Sequence, residues 1–118
     1  MADEMSAAVR QKVLRLVGLG MRSRGVVVGV DSVREAAKRN EVFLAVVATD
    51  ASPNSLDKVV PLLNARRVKF VEVPSAVDLG VAVGRNQTAV VGIVDRQLAA
   101  GVRASVDGGQ KKAREEDV

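Results

Sequence analysis

The pattern of apolar and polar positions predicts a chain in which helices alternate with short buried strands. Apolar side chains recur at helical spacing over residues 6–20, whereas the runs Val42–Ala48 and Thr88–Val94 are apolar without alternation. Unbroken apolar runs of this length are typical of strands covered on both faces. Shorter strands are predicted at Val26–Val28 and Val68–Val73. Helices on both faces of such strands predict the α/β class, as a three-layer α/β/α sandwich with a mixed central sheet.

Capping residues predict where the helices begin and end. Ser52 and Ser75 are the predicted N-caps of the third and fourth helices, because a hydroxyl can accept a hydrogen bond from a free first-turn N–H. Ser32 and Glu35 have the spacing of a capping box, so the second helix is expected to begin at Ser32. Asn40 is expected to end that helix in the left-handed conformation.

One domain is expected over residues 6–103. A short last helix is predicted to begin at Asp95. Residues 104–118 are polar, which predicts a disordered tail because such a sequence buries too little apolar surface to fold. Residues 1–5 are expected to be frayed. A chain of 118 residues has room for one domain, and 47% hydrophobic residues can build one core without a disulfide.

Composition excludes most catalytic chemistry. The chain has no cysteine and no histidine, so thiolate ligands, disulfides and the commonest general base are all missing. Asp50 follows a buried strand, but it has no acidic partner close in sequence and belongs to an ordinary loop. We therefore predict that the protein is not an enzyme and has no catalytic residue, metal site or cofactor. The two aromatic residues, Phe43 and Phe70, lie in apolar runs that resemble buried strands, so no base-stacking platform is expected.

Targeting and membrane-spanning segments are not apparent in the sequence. The first residues, Met-Ala-Asp-Glu, lack the basic and apolar regions of a secretory signal. The longest uncharged apolar stretch, Val42–Thr49, is far shorter than the roughly 20 residues that cross a bilayer. We therefore expect a cytoplasmic protein that does not contact a membrane.

The net charge of the chain is +4, and it is unevenly distributed. Residues 10–39 contain eight bases and two acids, a net charge of +6, so the remaining residues sum to −2. A basic segment on a neutral or acidic body is the pattern expected of a protein that binds a polyanion. The solvated faces of ordinary helices are the alternative explanation.

The segment from Gly25 to Lys38 combines features suited to phosphate. It contains a basic loop, a strand and then a helix N-terminus, whose free N–H groups and partial positive charge favour anions. Gly29 would let a nucleic-acid backbone or base edge approach closely. A second polar loop, Arg85–Thr88, lies between a helix end and a strand. It could flank the same surface, although the sequence alone does not place it there.

Several stretches resemble the ribosomal protein L7Ae and L30e family, including its bacterial YlxQ-like branch. The most specific parts are the piece Leu79-Gly80-x-Ala82-x-Gly84 and the in-helix proline Pro61. The similarity covers roughly residues 9–103 in order, and its other stretches are residues 14–25, 29–36, 43–53, 56–63, 71–75 and 89–95. The resemblance implies the same α/β/α sandwich that the apolar pattern predicts.

The typical activity of that family is binding of kink-turn RNA, a sharp bend flanked by sheared guanine–adenine pairs. In kink-turn binders, an Asn-Glu-x-x-Lys at the start of the second helix contacts the guanines, and an apolar loop before the last strand packs on extruded bases. The matching positions here are Asp31, Ser32 and Glu35, and the matching loop is the polar Arg85–Thr88. The resemblance therefore implies RNA binding with altered recognition residues.

We predict a non-catalytic RNA-binding protein associated with the ribosome or the translation machinery. Four bases are predicted to contact phosphates: Arg22, Arg24, Arg34 and Lys38. The rest of the predicted contact surface is Gly29, Val30, Asp31, Ser32, Glu35, Arg85, Asn86, Gln87 and Thr88. The expected partner is ribosomal or other structured RNA, with no small-molecule substrate, and a monomer is expected. The alternative is a protein-interaction module of the same fold that has lost kink-turn RNA binding.

Overall fold

Five helices and four strands alternate along residues 5–117, the part of the chain that the computed structural model describes; for residues 109–117 the description covers only the helical backbone. The helices are α1 (Ala7–Arg22), α2 (Val30–Lys38), α3 (Pro53–Ala65), α4 (Ala76–Ala82) and α5 (Arg96–Asp117). The strands are β1 (Val26–Val28), β2 (Leu44–Ala48), β3 (Phe70–Val73) and β4 (Val90–Ile93). Within these residues, none of the helices combines the length and the apolar composition that a membrane span requires.

The four strands form one mixed sheet in the order β1-β4-β2-β3. Strand β2 runs parallel to β3 and antiparallel to β4, and β4 is also antiparallel to β1. All residues of the two central strands, β2 and β4, are buried. The prediction that these two apolar runs are covered on both faces is therefore confirmed, as is the mixed sheet.

Helices cover both faces of the sheet, which confirms the three-layer architecture. Alternate residues of β2 point to opposite faces: Leu44 and Val46 belong to one apolar cluster, and Ala45 and Val47 belong to the other. The first cluster contains buried residues of α1, α4 and α5. The second contains buried residues of α2 and α3. The sheet thus divides the core into two parts, and the first cluster contains more buried residues than the second.

Most capping predictions are confirmed. Ser52 and Ser75 accept hydrogen bonds from the backbone N–H groups three residues later, at 3.1 and 3.0 Å. Asn40 has a φ of 59°, as expected of a left-handed helix stop. The predicted start of α2 is wrong: its N-cap is Gly29, and the helix begins at Val30. The chain turns directly from β1 into the helix at Gly29, whose φ of 95° favours glycine, so Ser32 lies inside the first turn.

Helix α5 continues beyond Arg103, where the sequence predicts the start of a disordered tail. Ala99 and Val102 are buried against the first cluster, and Val106 packs against it four residues later. This spacing extends the apolar face of the helix by one turn beyond the predicted domain boundary. At the other terminus Met5 packs partly buried on the same cluster, and residues 1–4 lie outside the described part of the chain.

Candidate nucleic-acid interface

The connecting segments lie at two opposite ends of the sheet. At the strand–helix end, β1, β2 and β3 lead into α2, α3 and α4, and the loop Arg85–Thr88 leads into β4. At the helix–strand end, α1, α2 and α3 lead into β1, β2 and β3, and β4 leads into α5. The register sets these ends, because Val26 and Leu44 both lie opposite Ile93, and Phe70 lies opposite Ala45.

A single carbonyl joins two segments of the predicted site at the strand–helix end. The oxygen of Val90 accepts a hydrogen bond from the N–H of Gly29 at 3.0 Å and another from the hydroxyl of Thr88 at 3.2 Å. The start of α2 and the loop Arg85–Thr88 are therefore neighbours, which the sequence alone did not establish. Thr88 is buried and holds the loop in place, whereas Arg85, Asn86 and Gln87 are exposed.

The first turn of α2 has no side-chain cap within the described part of the chain. Gly29 has φ 95° and ψ 160°, and a Cβ atom at this position would meet nothing within 4 Å. No side chain of the described residues caps this helix start, so its first N–H groups stay available to an anion. Asp31 lies in the same turn and is exposed, and its carboxylate offsets part of the positive end of the helix dipole.

The loop Arg85–Thr88 is fixed against α4. The N–H of Arg85 donates to the carbonyl of Gly80 at 2.8 Å, and the N–H of Thr88 donates to the carbonyl of Ala76 at 3.0 Å. A Cβ atom on Gly80 would lie 2.3 Å from the Cα of Gln87, so only glycine lets the loop pass this close to the helix. The loop is therefore positioned by the helix and its side chains project from a defined backbone.

Asp50 has a structural task at the same end. Its Oδ1 atom accepts a hydrogen bond from the N–H of Ala76 at 2.7 Å. This bond joins the loop after β2 to the first turn of α4. A carboxylate at this position also interacts favourably with the positive end of the helix dipole. Among the described residues, no group of three or more acidic side chains is arranged to hold a metal ion.

The predicted phosphate-contacting bases do not form one surface with Gly29. Arg22 and Arg24 precede β1 and Lys38 ends α2, so all three belong to the helix–strand end. Strand β1 spans about 10 Å, since a strand rises about 3.3 Å per residue. Arg34 is directed to α3, where its guanidinium donates to the carbonyl of Lys58. The four bases therefore do not lie together on one surface, because β1 and α2 each carry the chain across the molecule. Their contacts with RNA phosphates stay a prediction.

Comparison with known proteins assigns the chain to a family. A model of the ribosomal protein L7Ae/L30e/S12e/Gadd45 family matches residues 11–102. The chain belongs to this family. RNA-binding protein YlxQ of Bacillus subtilis is 33% identical over 84 residues, 71% of this chain and 84% of that protein. Large ribosomal subunit protein eL8 of Thermoplasma volcanium is 36% identical over 88 residues, 74% of this chain and 73% of that protein.

The fold of the family is also present in solved structures. The Giardia lamblia 15.5kD RNA binding protein superposes with a TM-score of 0.76 at 21% identity, covering 90% of this chain and 91% of that chain. The similarity of this structure supports the fold that the family match and the sheet topology show. Together with the YlxQ relative, these findings place the chain in the YlxQ-like branch of the L7Ae/L30e family.

Asp31, Ser32 and Glu35, the positions that the sequence resemblance matches to a kink-turn motif, share one face of α2. Asp31, Ser32 and Glu35 line a shallow groove beside the edge strand β1, together with Arg39 and Glu41. Glu35 and Arg39 form an exposed ion pair at 3.8 Å. The groove thus contains three acids and one base, which makes this face unfavourable for phosphate.

An exposed aromatic side chain was missed by the sequence analysis. Phe43 is 43% exposed although it lies in an apolar run, and β2 begins at Leu44, not at Val42 as predicted. Its N–H donates to the carbonyl of Ile93 at 2.8 Å, and the guanidinium of Arg96 lies 5.4 Å from the ring centroid. Three further exposed bases at the helix–strand end were also not selected: Arg66, Arg67 and Lys69. Their closeness in sequence was a visible signal.

Proposed function

We propose that this protein is a non-catalytic RNA-binding protein that acts with the ribosome or another structured RNA of the translation machinery. The observation that carries the proposal is the family match over residues 11–102. Relatives of the chain are named as an RNA-binding protein and as a protein of the large ribosomal subunit. A cytoplasmic monomer is the simplest form in which such a protein would act.

The strand–helix end supplies the contact surface in this proposal. The uncapped N–H groups at the start of α2 suit a phosphate or a base edge, and Gly29 leaves room for close approach. Arg85, Asn86 and Gln87 offer hydrogen-bond donors and acceptors on the adjoining loop. The predicted contact residues Val30, Asp31, Ser32 and Glu35 lie on the helix beside it.

Recognition of a standard kink-turn is expected to be weak. Where the family resemblance implies a glutamate and a lysine facing guanine edges, this chain has the shorter Ser32 and the oppositely charged Glu35. Each good base contact is worth roughly 1–3 kcal/mol. Loss of two contacts would therefore lower the affinity by roughly thirty-fold to ten-thousand-fold.

Isothermal titration calorimetry on one kink-turn RNA tests this proposal. The triple substitution Asp31→Asn, Ser32→Glu and Glu35→Lys is expected to tighten binding by about tenfold or more at fixed salt. It raises the net charge by two, so Glu72→Lys, with the same charge change on the opposite edge strand, is the matched control. A second RNA, in which Watson–Crick pairs replace the guanine–adenine pairs, should not distinguish the variants.

Two outcomes would contradict the proposal, the first its statement on weak kink-turn recognition and the second its statement on RNA binding. Nanomolar binding of the natural protein to the kink-turn, with strong preference over the paired RNA, would show that Asp31 and Glu35 recognise guanine by another geometry. Absence of binding to either RNA at low salt, together with absence from ribosomes in a cell extract, would favour the alternative of a protein-interaction module.

A further inference from the structure

The helix–strand end of the molecule concentrates exposed positive charge. Its four connecting segments, each counted with the helix-terminal residue that adjoins it, contain eight exposed bases and two exposed acids, a net charge of +6 within the described residues. The bases are Arg22, Arg24, Lys38, Arg39, Arg66, Arg67, Lys69 and Arg96, and the acids are Glu41 and Asp95. Four strands about 4.8 Å apart place these segments within about 15 Å of one another. Neighbouring segments, about 4.8 Å apart, lie within the Debye length of about 8 Å at physiological salt, so the charges of adjacent segments reinforce one another along this end of the sheet.

Three helices end at this surface with the same hydrogen-bonded turn. In each, an N–H donates to the carbonyl five residues earlier: Gly25 to Gly20 at 2.7 Å, Glu41 to Ala36 at 3.0 Å, and Val68 to Leu63 at 2.9 Å. This is the Schellman motif, and it requires a left-handed residue one position before the donor. Those residues are Arg24, Asn40 and Arg67, with φ values of 63°, 59° and 58°.

A fourth copy of the motif provides an internal comparison. At the end of α4, Arg85 donates to Gly80 at 2.8 Å, and the left-handed residue is Gly84, with a φ of 78°. Glycine adopts this backbone conformation without steric cost, whereas for a residue with a Cβ atom it is strained. Arg24 and Arg67 therefore hold a cation at positions where glycine would stabilise the turn better. Residues other than glycine in this conformation are often found at functional positions.

The exposed aromatic ring distinguishes an RNA partner from other polyanions. Phe43 lies among these bases, 43% exposed, with the guanidinium of Arg96 at 5.4 Å from its ring centroid. Surfaces that bind single-stranded nucleic acid combine a basic groove with aromatic and arginine planes on which bases stack. An acidic protein would use the charge alone.

We propose that the helix–strand end is a second RNA-contacting surface, which binds the phosphates of a single-stranded segment and stacks a base on Phe43 and Arg96. This proposal rests on the proposed function, and it adds a contact at the opposite end of the sheet from α2's first turn. The protein would then join two RNA segments, one at each end.

The left-handed arginines allow a test that separates binding from folding. The double substitution Arg24→Gly and Arg67→Gly removes two cations and relaxes both turns, so the thermal midpoint is expected to stay level or rise. Binding of oligouridylate is expected to weaken on the order of tenfold at 0.1 M salt, and the slope of log K against log salt should flatten by about one to two units. The matched control, Lys12→Gln with Arg103→Gln, removes two exposed bases of α1 and α5 and should change affinity little.

A second variant tests base stacking. Phe43→Leu keeps an apolar side chain, and it is expected to weaken oligouridylate binding about fivefold or more while leaving the salt slope unchanged. Binding of polyglutamate, which has no bases, should be unaffected by this change. Crosslinking of 4-thiouridine RNA followed by peptide mapping should identify the peptides that contain Phe43 and Arg96.

The outcomes separate this inference from the proposed function. If the natural protein binds RNA, but neither variant alters oligouridylate affinity, the inference fails and the proposed function stands. Equal losses in the double variant and in the Lys12 and Arg103 control would also overturn it, because the attraction would then be general. Polyglutamate binding as tight as RNA binding would assign the surface to an acidic protein. If the natural protein binds no RNA, the proposed function fails first.

Discussion

Substitution of Gly80 by alanine tests how the loop Arg85–Thr88 is positioned. The new Cβ would lie 2.3 Å from the Cα of Gln87 and 2.6 and 2.7 Å from its N and C atoms. All three are backbone atoms, so no side-chain rotation can relieve the contact. Helix α4 and the loop must therefore separate by about 1 Å or more, since carbon atoms pack at about 3.5–4.0 Å.

The expected loss of stability follows from three terms. Overpacking of a close contact costs about 1–3 kcal/mol. Separation also weakens the hydrogen bonds from Arg85 and Thr88 to α4, each worth about 0.5–1.5 kcal/mol. The better helix propensity of alanine returns about 1 kcal/mol. A net destabilisation of about 1–3 kcal/mol is expected for Gly80→Ala, which corresponds to a decrease in Tm of roughly 4–15 °C for a domain of this size.

Gly101→Ala is the matched control, because it makes the same chemical change where there is room. Its Cβ would lie 4.0 Å from Leu16, an ordinary van der Waals contact, so a gain of about 0.5–1 kcal/mol is expected. Denaturant unfolding measures both variants, and hydrogen exchange should show faster exchange at the Thr88 amide only in Gly80→Ala. Wild-type stability and unchanged Thr88 exchange in Gly80→Ala would refute the close packing of loop and helix.

Three further predictions concern stability measured by chemical denaturation. Gly29→Ala should lower the free energy of unfolding by about 1–3 kcal/mol. The loss would come from backbone strain alone, because the new Cβ would meet no atom. An unchanged denaturation midpoint would contradict the φ of 95°. Asp50→Ala should cost about 1–2 kcal/mol and Asp50→Asn clearly less, since an amide oxygen can still accept; equal losses would show that the hydrogen bond is unimportant. Deletion of residues 104–118 should cost about 1 kcal/mol more than deletion of residues 109–118, because only the first removes Val106; equal midpoints would restore the boundary at Arg103.

The local sequence pattern was sufficient to predict the features that depend on neighbouring residues alone. The buried runs of β2 and β4 are apolar at every position because helices cover both faces, and this pattern needs no knowledge of topology. Ser52, Ser75 and Asn40 act through atoms at most five residues away, so their roles were predictable. Val106 was missed because one apolar residue in a polar segment indicates burial only when the position of the neighbouring helix α1 is known.

Features set by strand pairing could not be predicted in the same way. Strand β1 pairs with β4, more than 60 residues later, and this pairing places Gly29 beside Val90. The pairing also determines where β2 begins, so that Phe43 lies just before the strand and not within it. A run of apolar residues does not show where the partner strand ends. The strand predicted at Val42–Ala48 therefore included two residues that lie before β2.

The charge distribution shows the same limitation most clearly. Residues 10–39 are basic as a stretch of sequence, yet α1, β1 and α2 each carry the chain across the molecule, so this charge is divided between the two ends. Arg66, Arg67, Lys69 and Arg96 come from outside that stretch and join Arg22, Arg24, Lys38 and Arg39 at one end. At the other end, the connecting segments contain one base, Arg85, and one acid, Asp50. When charge is summed over the connecting segments at each end of the sheet, the basic surface lies at the helix–strand end. When charge is summed along the sequence, the same surface is wrongly placed in residues 10–39.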